Sequence, residues 1–479
     1  MHLPAVVDQL RKIAGRDAVL DRPEDLMLYE YDAGVRKCTP AVVVFPQNTN
    51  HVAQIMKLAG AAGFPVVARG AGTGLSGGAI APEGGVVLAF ARMNHILEVD
   101  AENMRAIVQP GVVNQQLSDN VAHLGLYFAP DPSSQKACTI GGNVAENSGG
   151  PHTLAYGVTV NHVTGLTVVM PSGEVEHFGG KAAESNGYDL TGFYVGSEGT
   201  IGIVTEITVR LLRRPERVAT LLGIFETVDD GARTVSAITA AGITPAALEM
   251  LDGWTLRAVE AACHAGYPLD AGAVLLIELE GLAEQVEEQA EAVREVCLQQ
   301  KAREVRRAKD ENERALLWKG RKNAFAALGR LAPSYYSQDG VVPRTKIPAV
   351  LQFIEEVSKK YGLRIGNIFH AGDGNLHPLI LFDPRDPAQL EMVQAASTEI
   401  LERCVSMGGS ITGEHGVGLE KRNLMPLLFT ADDLDVMLSL HNVFNAGNVL
   451  NPGKLFPTTR MCRETTGPSN HPVLAAEGM

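Results

Sequence analysis

Two glycine-flanked motifs late in the chain carry the residues best suited to chemistry. They are His370-Ala371-Gly372-Asp373-Gly374-Asn375-Leu376-His377 and Gly413-Glu414-His415-Gly416. Two imidazoles and one carboxylate, with coordination positions left open, form a catalytic metal shell. His370, His377 and Glu414 are the candidate ligands. Zn²⁺, Mn²⁺ and Fe²⁺ all accept such a set. A lone histidine is more often structural, but three of the chain's 13 histidines fall in these two motifs.

Glycine marks a second kind of chemistry. The 479 residues include 50 glycines, where average usage of about 7% gives about 34. Arg69-Gly70-Ala71-Gly72-Thr73-Gly74-Leu75-Ser76-Gly77-Gly78 holds five of them, and Gly72, Gly74 and Gly77 satisfy G-x-G-x-x-G. A Rossmann site needs a helix directly after that motif. Pro82, Gly84 and Gly85 forbid one here, and the next element reads as a strand. No G-K-[ST] follows, so a P-loop is excluded as well. What remains is a loop of small residues whose backbone N–H groups can wrap a diphosphate; the bland alternative is a mobile linker. Two more such stretches follow, Pro130 to Gly150 and Gly196 to Val204. Three Gly/Ser/Thr/Asn loops in one domain suggest one large, polar, phosphate-bearing ligand.

The elements that must position these residues can be read from periodicity. Residues 3–14, 51–62, a stretch from about 228, 283–300 and 347–361 read as helices, and 41–46, 65–68, 86–90, 106–109, 163–170, 218–225 and 273–279 as strands. Pro171-Ser172-Gly173 makes a hairpin turn. Composition shifts near 211–215, and the strand–helix alternation beyond it reads as a second layered domain. A net charge of −14 repels phosphate backbones and anionic lipid, so no nucleic-acid partner is expected. The six scattered cysteines have no zinc or iron–sulfur spacing and read as buried, inert thiols, although Cys138 or Cys38 could be reactive. No apolar run approaches the ~18 residues of a membrane span, and the first residues lack a secretory pattern. A cytoplasmic protein is expected, with any membrane association made through a partner.

On the three loops the chain resembles the FAD-binding domain of the vanillyl-alcohol-oxidase (PCMH-type) superfamily. The resemblance spans nearly the whole chain and includes a flavin-oxidase C-terminal domain. Within the superfamily it is similar to the FAD-linked 2-hydroxy-acid dehydrogenases, the branch of bacterial glycolate oxidase and D-lactate dehydrogenase. The residues carrying this are Trp318 to Phe325, Phe369 to Pro378, Gly413 to Gly416 and Asn451-Pro452-Gly453-Lys454. The implied fold class is α+β. A two-subdomain FAD-binding domain would occupy 1–214 and a substrate- and metal-binding cap with an antiparallel sheet 215–445. Residues 446–479 would return to the FAD domain, with a frayed tail after Pro457.

The resemblance implies that Arg69, Gly70, Ala71, Gly72, Thr73, Gly74, Leu75 and Ser76 cradle the FAD pyrophosphate. Pro130, Asp131, Ser133, Ser134, Thr139, Gly141, Gly142, Asn143, Asn147 and Gly150 would lie along the ribityl chain and isoalloxazine. Ile203 and Val204 would meet the adenine end, Gly199 is a further cofactor-binding candidate, and Asn451 belongs to the returning motif. Some members tether FAD through a histidine of the first loop; none occurs from Val66 to Ala79, so FAD is expected to be non-covalent.

Oxidation of a 2-hydroxy acid removes a hydroxyl proton and a hydride from one carbon. A metal lowers the hydroxyl pKa, His415 is the candidate base, and flavin accepts the hydride. Arg321 matches the family's substrate-carboxylate arginine; the alternative is a surface charge in the basic stretch Lys319 to Lys322. The 2-hydroxyglutarate branch would place a lysine near Tyr335-Tyr336-Ser337-Gln338. Here no basic residue lies between Arg330 and Arg344, which favours glycolate or D-lactate. D-2-hydroxyglutarate dehydrogenase, an ether-lipid synthase and a non-catalytic FAD scaffold are the competing readings. The resemblance further implies a second flavin-domain subunit and an iron–sulfur subunit as partners.

Overall fold

The computed structural model describes residues 3–182 and 187–458. The tail expected to fray, and Cys462 within it, lie outside the described residues. The chain divides into two compact units. The first takes residues up to Ser148, Val158–Arg213 and the chain from Glu414; the second takes Gly149–Gly157 and Arg214–Gly413.

The first unit contains two larger sheets and a two-stranded pair of Leu126–Tyr127 with Leu212–Arg213. The strands Val42–Val44, Val66–Arg69 and Val86–Ala89, apolar except for Arg69, pair in parallel, with Val86–Ala89 in the middle. Parallel strands of one sheet need a crossover, which the helix Thr49–Ala62 supplies between Val42–Val44 and Val66–Arg69, the two strands flanking Val86–Ala89. That helix packs its Val52, Ile55, Met56 and Ala59 into the same core as the strands. A five-stranded antiparallel sheet follows, in the order Ile96–Asp100, Arg105–Val108, Ile203–Arg210, Val163–Val169, Val175–Gly179. Its last pair turns at Pro171-Ser172-Gly173, with Met170 N donating to Glu174 O at 2.8 Å.

The second unit is built on one eight-stranded sheet in which every pairing is antiparallel. The strand–helix alternation there does build crossovers, each spanning an antiparallel strand. The helix Val228–Ala240 joins Arg217–Phe225 to Ala247–Asp252, which flank Ala273–Gly281 and run in one direction, and Ala283–Gln299 joins Ala273–Gly281 to Glu304–Arg307, which flank Arg217–Phe225.

Three expectations need correction. The third glycine loop ends early, because Ile203–Arg210 is a central strand paired on both sides. The second loop contains a helix, Ile140–Glu146, capped by Thr139, whose Oγ1 accepts from Gly142 N at 3.2 Å. The chain rejoins the first unit at Glu414 rather than 446. Backbone bonds explain this: Leu419 N donates to Ser76 O at 2.8 Å, and Val417 N and Gly418 N donate to the Glu198 carboxylate at 2.7 and 2.8 Å.

Candidate functional site

In the first unit the strand Val66–Arg69 feeds the loop Gly70–Gly78, and the next strand is Val86–Ala89, with no helix between them. Gly72 has φ +72°, and a Cβ there would lie 2.1 Å from Arg69 Nη2. Only glycine lets the loop fold back over that guanidinium. Arg69 is 6% exposed and lies over the Tyr29 ring at 5.6 Å. Burial lowers its pKa, and the charge of Asp32 partly offsets this. Among the described residues Arg69 Nη1 and the buried Ser76 Oγ have no hydrogen-bond partner. Orphaned buried donors of this kind are expensive unless a ligand satisfies them. A buried cation and a hydroxyl beside a glycine loop suit a pyrophosphate.

The remaining expected cofactor residues divide between backbone and scaffold roles. Pro130 and Asn143 are held by Asn114, whose Nδ2 donates to Pro130 O at 2.9 Å and to Asn143 Oδ1 at 3.0 Å. Asn147 ends its helix in the left-handed region (φ 53°), and its Oδ1 accepts from Val160 N at 2.9 Å. Asp131, Ser133 and Ser134 lie in the preceding turn, where Ser134 O accepts from Cys138 N at 2.9 Å. Gly199 has φ +66°. The Ile203 side chain packs in the core of the parallel sheet, and the half-buried Val204 precedes a register shift against the neighbouring strand. Gly150 belongs to the short stretch seated on the second unit. Asn451 ties two glycine loops together: its Nδ2 donates to Gly78 O at 3.0 Å and to Glu198 O at 2.7 Å.

Behind these loops lies a buried charged group that the motifs do not announce. A Cβ on Gly416 would lie 2.1 Å from Glu146 Oε2 and 2.9 Å from Glu198 Oε1. Burial raises the pKa of both carboxyls. Lys454 Nζ donates to Ile80 O at 2.7 Å and to Asn451 Oδ1 at 3.0 Å, and burial pushes its pKa down to about 8. Glu414 and His415 open this returning segment and are half-buried in the first unit.

In the second unit the strands Arg364–His370 and Asn375–Phe382 form a hairpin. His370 pairs with Asn375, so His377, two residues further on, lies on the same face. The rings meet edge to face with centroids 5.0 Å apart, and the residues are 4% and 2% exposed. Each ring is held at Nδ1. His370 Nδ1 donates to Glu249 Oε1 at 2.7 Å, and His377 Nδ1 donates to Gln338 O at 3.2 Å. Those partners assign the tautomer and place the lone pair on Nε2 in both rings. Asp339 lies 3.9 Å from His377 Nδ1 and accepts from Asn375, Thr412 and Gly413.

Arg321 is 1% exposed, so the surface-charge alternative falls. Its Nε donates to Glu249 Oε2 at 2.6 Å and its Nη2 lies 2.5 Å from the same oxygen. Its Nη1 has no hydrogen-bond partner among the described residues. Glu249 therefore joins the arginine to the first histidine. Phe325 stands 6.0 Å from the His377 ring and 6.2 Å from Tyr335, an aromatic wall.

The hairpin turn depends on Gly374, which has φ +81° and whose Cβ would lie 2.0 Å from Val342 O. Gly374→Ala is expected to destabilise the protein by at least about 2 kcal/mol, from backbone strain plus a clash with a carbonyl that cannot rotate away. Thermal unfolding of the purified variant measures this.

Glu249 and Asp339 are the neighbours of the proposed site residues that motif reading missed. Glu249 does leave a signal. It sits in the middle of the otherwise apolar run Ala247–Leu251, where a buried acid requires a partner. Of the five described cysteines, none is in a disulfide, and burial raises the pKa of Cys138, and that of Cys297 and Cys404 to about 12. No helix of the described residues is long and apolar enough to cross a membrane.

Comparison with known proteins finds two families along the chain. Residues 40–179 match the FAD binding domain family, and 214–455 match the FAD linked oxidases, C-terminal domain. The chain is 46% identical to glycolate oxidase subunit GlcD of Escherichia coli (strain K12) over 447 residues, 93% of this chain and 90% of that one. It is 43% identical to glycolate oxidase subunit GlcD of Bacillus subtilis (strain 168), over 94% of this chain and 96% of that one. A D-lactate dehydrogenase of Anaerostipes hadrus is 32% identical over 94% and 97%. Among solved structures, p-cresol methylhydroxylase with substrate bound superposes with a TM-score of 0.82 over 95% of this chain and 97% of that one, at 19% identity. That likeness supports a PCMH-type α+β fold.

Proposed function

The chain belongs to the FAD-linked oxidases, and from that premise we propose that it oxidises a small 2-hydroxy acid, glycolate or D-lactate, to the 2-oxo acid. One observation carries the reading: two buried histidines on one hairpin face, each held at Nδ1 so that Nε2 bears the lone pair. With Glu414 they would hold a divalent cation, Zn²⁺, Mn²⁺ or Fe²⁺.

Once bound, FAD supplies the hydride acceptor and the cation the Lewis acid. The chain's own residues do the rest. Arg69, Ser76 and the Gly70–Gly78 loop bind the pyrophosphate without a covalent tether. Arg321 offers its unpartnered Nη1–H to the substrate carboxylate while its Nε side holds Glu249. His415 takes the hydroxyl proton. Phe325 and Tyr335 put an aromatic wall, not a cation, beside His377, which fits a small monocarboxylate better than a dicarboxylate. Electrons then pass to a second flavin-domain subunit and an iron–sulfur subunit. The scattered cysteines of this chain offer no cluster site of their own.

Anaerobic titration of metal-replete holoprotein with glycolate, D-lactate, L-lactate and D-2-hydroxyglutarate tests the reading. Bleaching of the flavin by glycolate or D-lactate is expected; no bleaching by any of the four overturns it. Arg69→Met should raise the Kd for FAD about 10- to 100-fold, the loss of one charged hydrogen-bonding group worth about 1.5–3 kcal/mol. A fluorescence titration of the apoprotein with FAD reads this directly.

A further inference from the structure

The helix Glu311–Lys322 braces two histidines of the second unit through buried glutamates, and only one of them is a proposed metal ligand. Arg321 donates to Glu249, which accepts from His370. One turn earlier, Trp318 Nε1 donates to Glu278 Oε2 at 2.6 Å. Arg314 donates Nε and Nη2 to the same carboxylate, each at 2.9 Å. Glu278 also accepts from Thr220 Oγ1 at 2.7 Å and lies 3.2 Å from His152 Nε2. The His152 ring stacks on Trp318 with centroids 5.5 Å apart at 27°. Tyr156 OH donates to Glu280 Oε2 at 2.6 Å.

His152, Glu278 and Glu280 bring ligand atoms close enough for a metal, but the donor set argues against one. Both Glu278 oxygens already accept from protein, and the Arg314 guanidinium supplies the positive charge. The arrangement is a clamp. What it clamps is the stretch Gly149–Gly157, which carries Gly150 and continues directly from Asn147. Ser148 and Val158, on either side of it, belong to the first unit. Leu154 of the same stretch leans on the turn of the histidine hairpin: a Cβ at Gly372 would lie 2.6 Å from Leu154 Cδ2.

We propose that His152 is a positioning residue for flavin reduction: through Glu278 and Trp318 it fixes the Gly149–Gly157 stretch, with the proposed flavin-contacting Gly150, to the same helix that fixes His370 through Arg321 and Glu249. The inference rests on the function proposed above. Hydride transfer is sensitive to ångström-scale misplacement of the reacting groups, so the clamp should matter to rate without touching substrate.

The test compares full-length wild type, His152→Ala and His152→Gln, loaded with FAD and zinc. Stopped-flow reduction by saturating glycolate is expected to be about 10- to 100-fold slower per bound flavin in the alanine variant, the range seen when a supporting shell is removed. KM should change little, and the visible circular dichroism of the oxidised flavin should shift. The glutamine variant, which can still donate to Glu278, should recover most of the rate and the wild-type spectrum. A purely structural role predicts a lower melting temperature with rate and spectrum per bound flavin unchanged, which overturns the proposal. So does a glutamine variant no better than alanine. If glycolate and D-lactate fail to bleach the wild type, the functional reading falls, while the flavin spectra of the three proteins still decide the role of His152.

Discussion

Replacing His377 with alanine is expected to abolish anaerobic bleaching of the flavin by glycolate or D-lactate while FAD stays bound. His377 is 2% exposed on the inner face of the hairpin and oriented by Gln338 O. Its removal takes one of two imidazoles from the proposed metal shell, and no described side chain at that register position replaces it. Loss of a supporting outer-shell group already costs about 10- to 100-fold in metal affinity or activity, so loss of a ligand should exceed that range. The groups proposed to bind FAD, Arg69, Ser76 and the loop between them, belong to the first unit and should keep the cofactor. The flavin absorbance per chain and the reduction rate are read on the same sample. Reduction at a rate near wild type would show that the metal assignment is wrong.

Glu249 carries the second large effect, and its two variants separate folding from chemistry. The carboxylate is fully buried between His370 Nδ1 at 2.7 Å and Arg321 Nε at 2.6 Å. Glu249→Ala leaves the Arg321 cation buried without its counter-charge, a change expected to cost about 3–5 kcal/mol. Denaturant unfolding measures it. Glu249→Gln keeps the volume and one acceptor oxygen but removes the charge. It should fold, with metal affinity lowered about 10- to 100-fold because the His370 ring loses its anionic partner. A metal titration of the glutamine variant that matches wild type would remove Glu249 from the site.

Much of this site can be read locally. The loop after Arg69 announces itself because a positive φ at Gly72 and the close approach of Arg69 leave no room for a Cβ. The His370 and His377 pair is legible because a glycine turn followed by two strand positions returns both rings to one face. Local pattern fails where long-range pairing decides. Ile203 follows a glycine stretch and reads as loop, yet it opens a strand because the strands at Arg105–Val108 and Val163–Val169 need that edge filled. Gly141 and Gly142 read as loop residues, yet the Thr139 cap starts a helix over them. Arg321 reads as either a surface charge or a substrate clamp; burial excludes the first and gives it a partner, Glu249, 72 residues away.

By itself the sequence pointed to the proposed kinds of chemistry: a glycine cradle for a dinucleotide, a His/His/Glu set suited to a metal, and cysteines too scattered for a cluster. These follow from constraints within a few residues, such as backbone sterics, ring spacing and ligand type. Only the tertiary structure decided which charges are buried together. It placed Glu249 between His370 and Arg321, seated His152 on Glu278, and brought the chain back to the first unit at Glu414. The physical reason is that a buried charge is tolerable only beside its partner, and these partners come from strands and helices that meet only in the folded sheet.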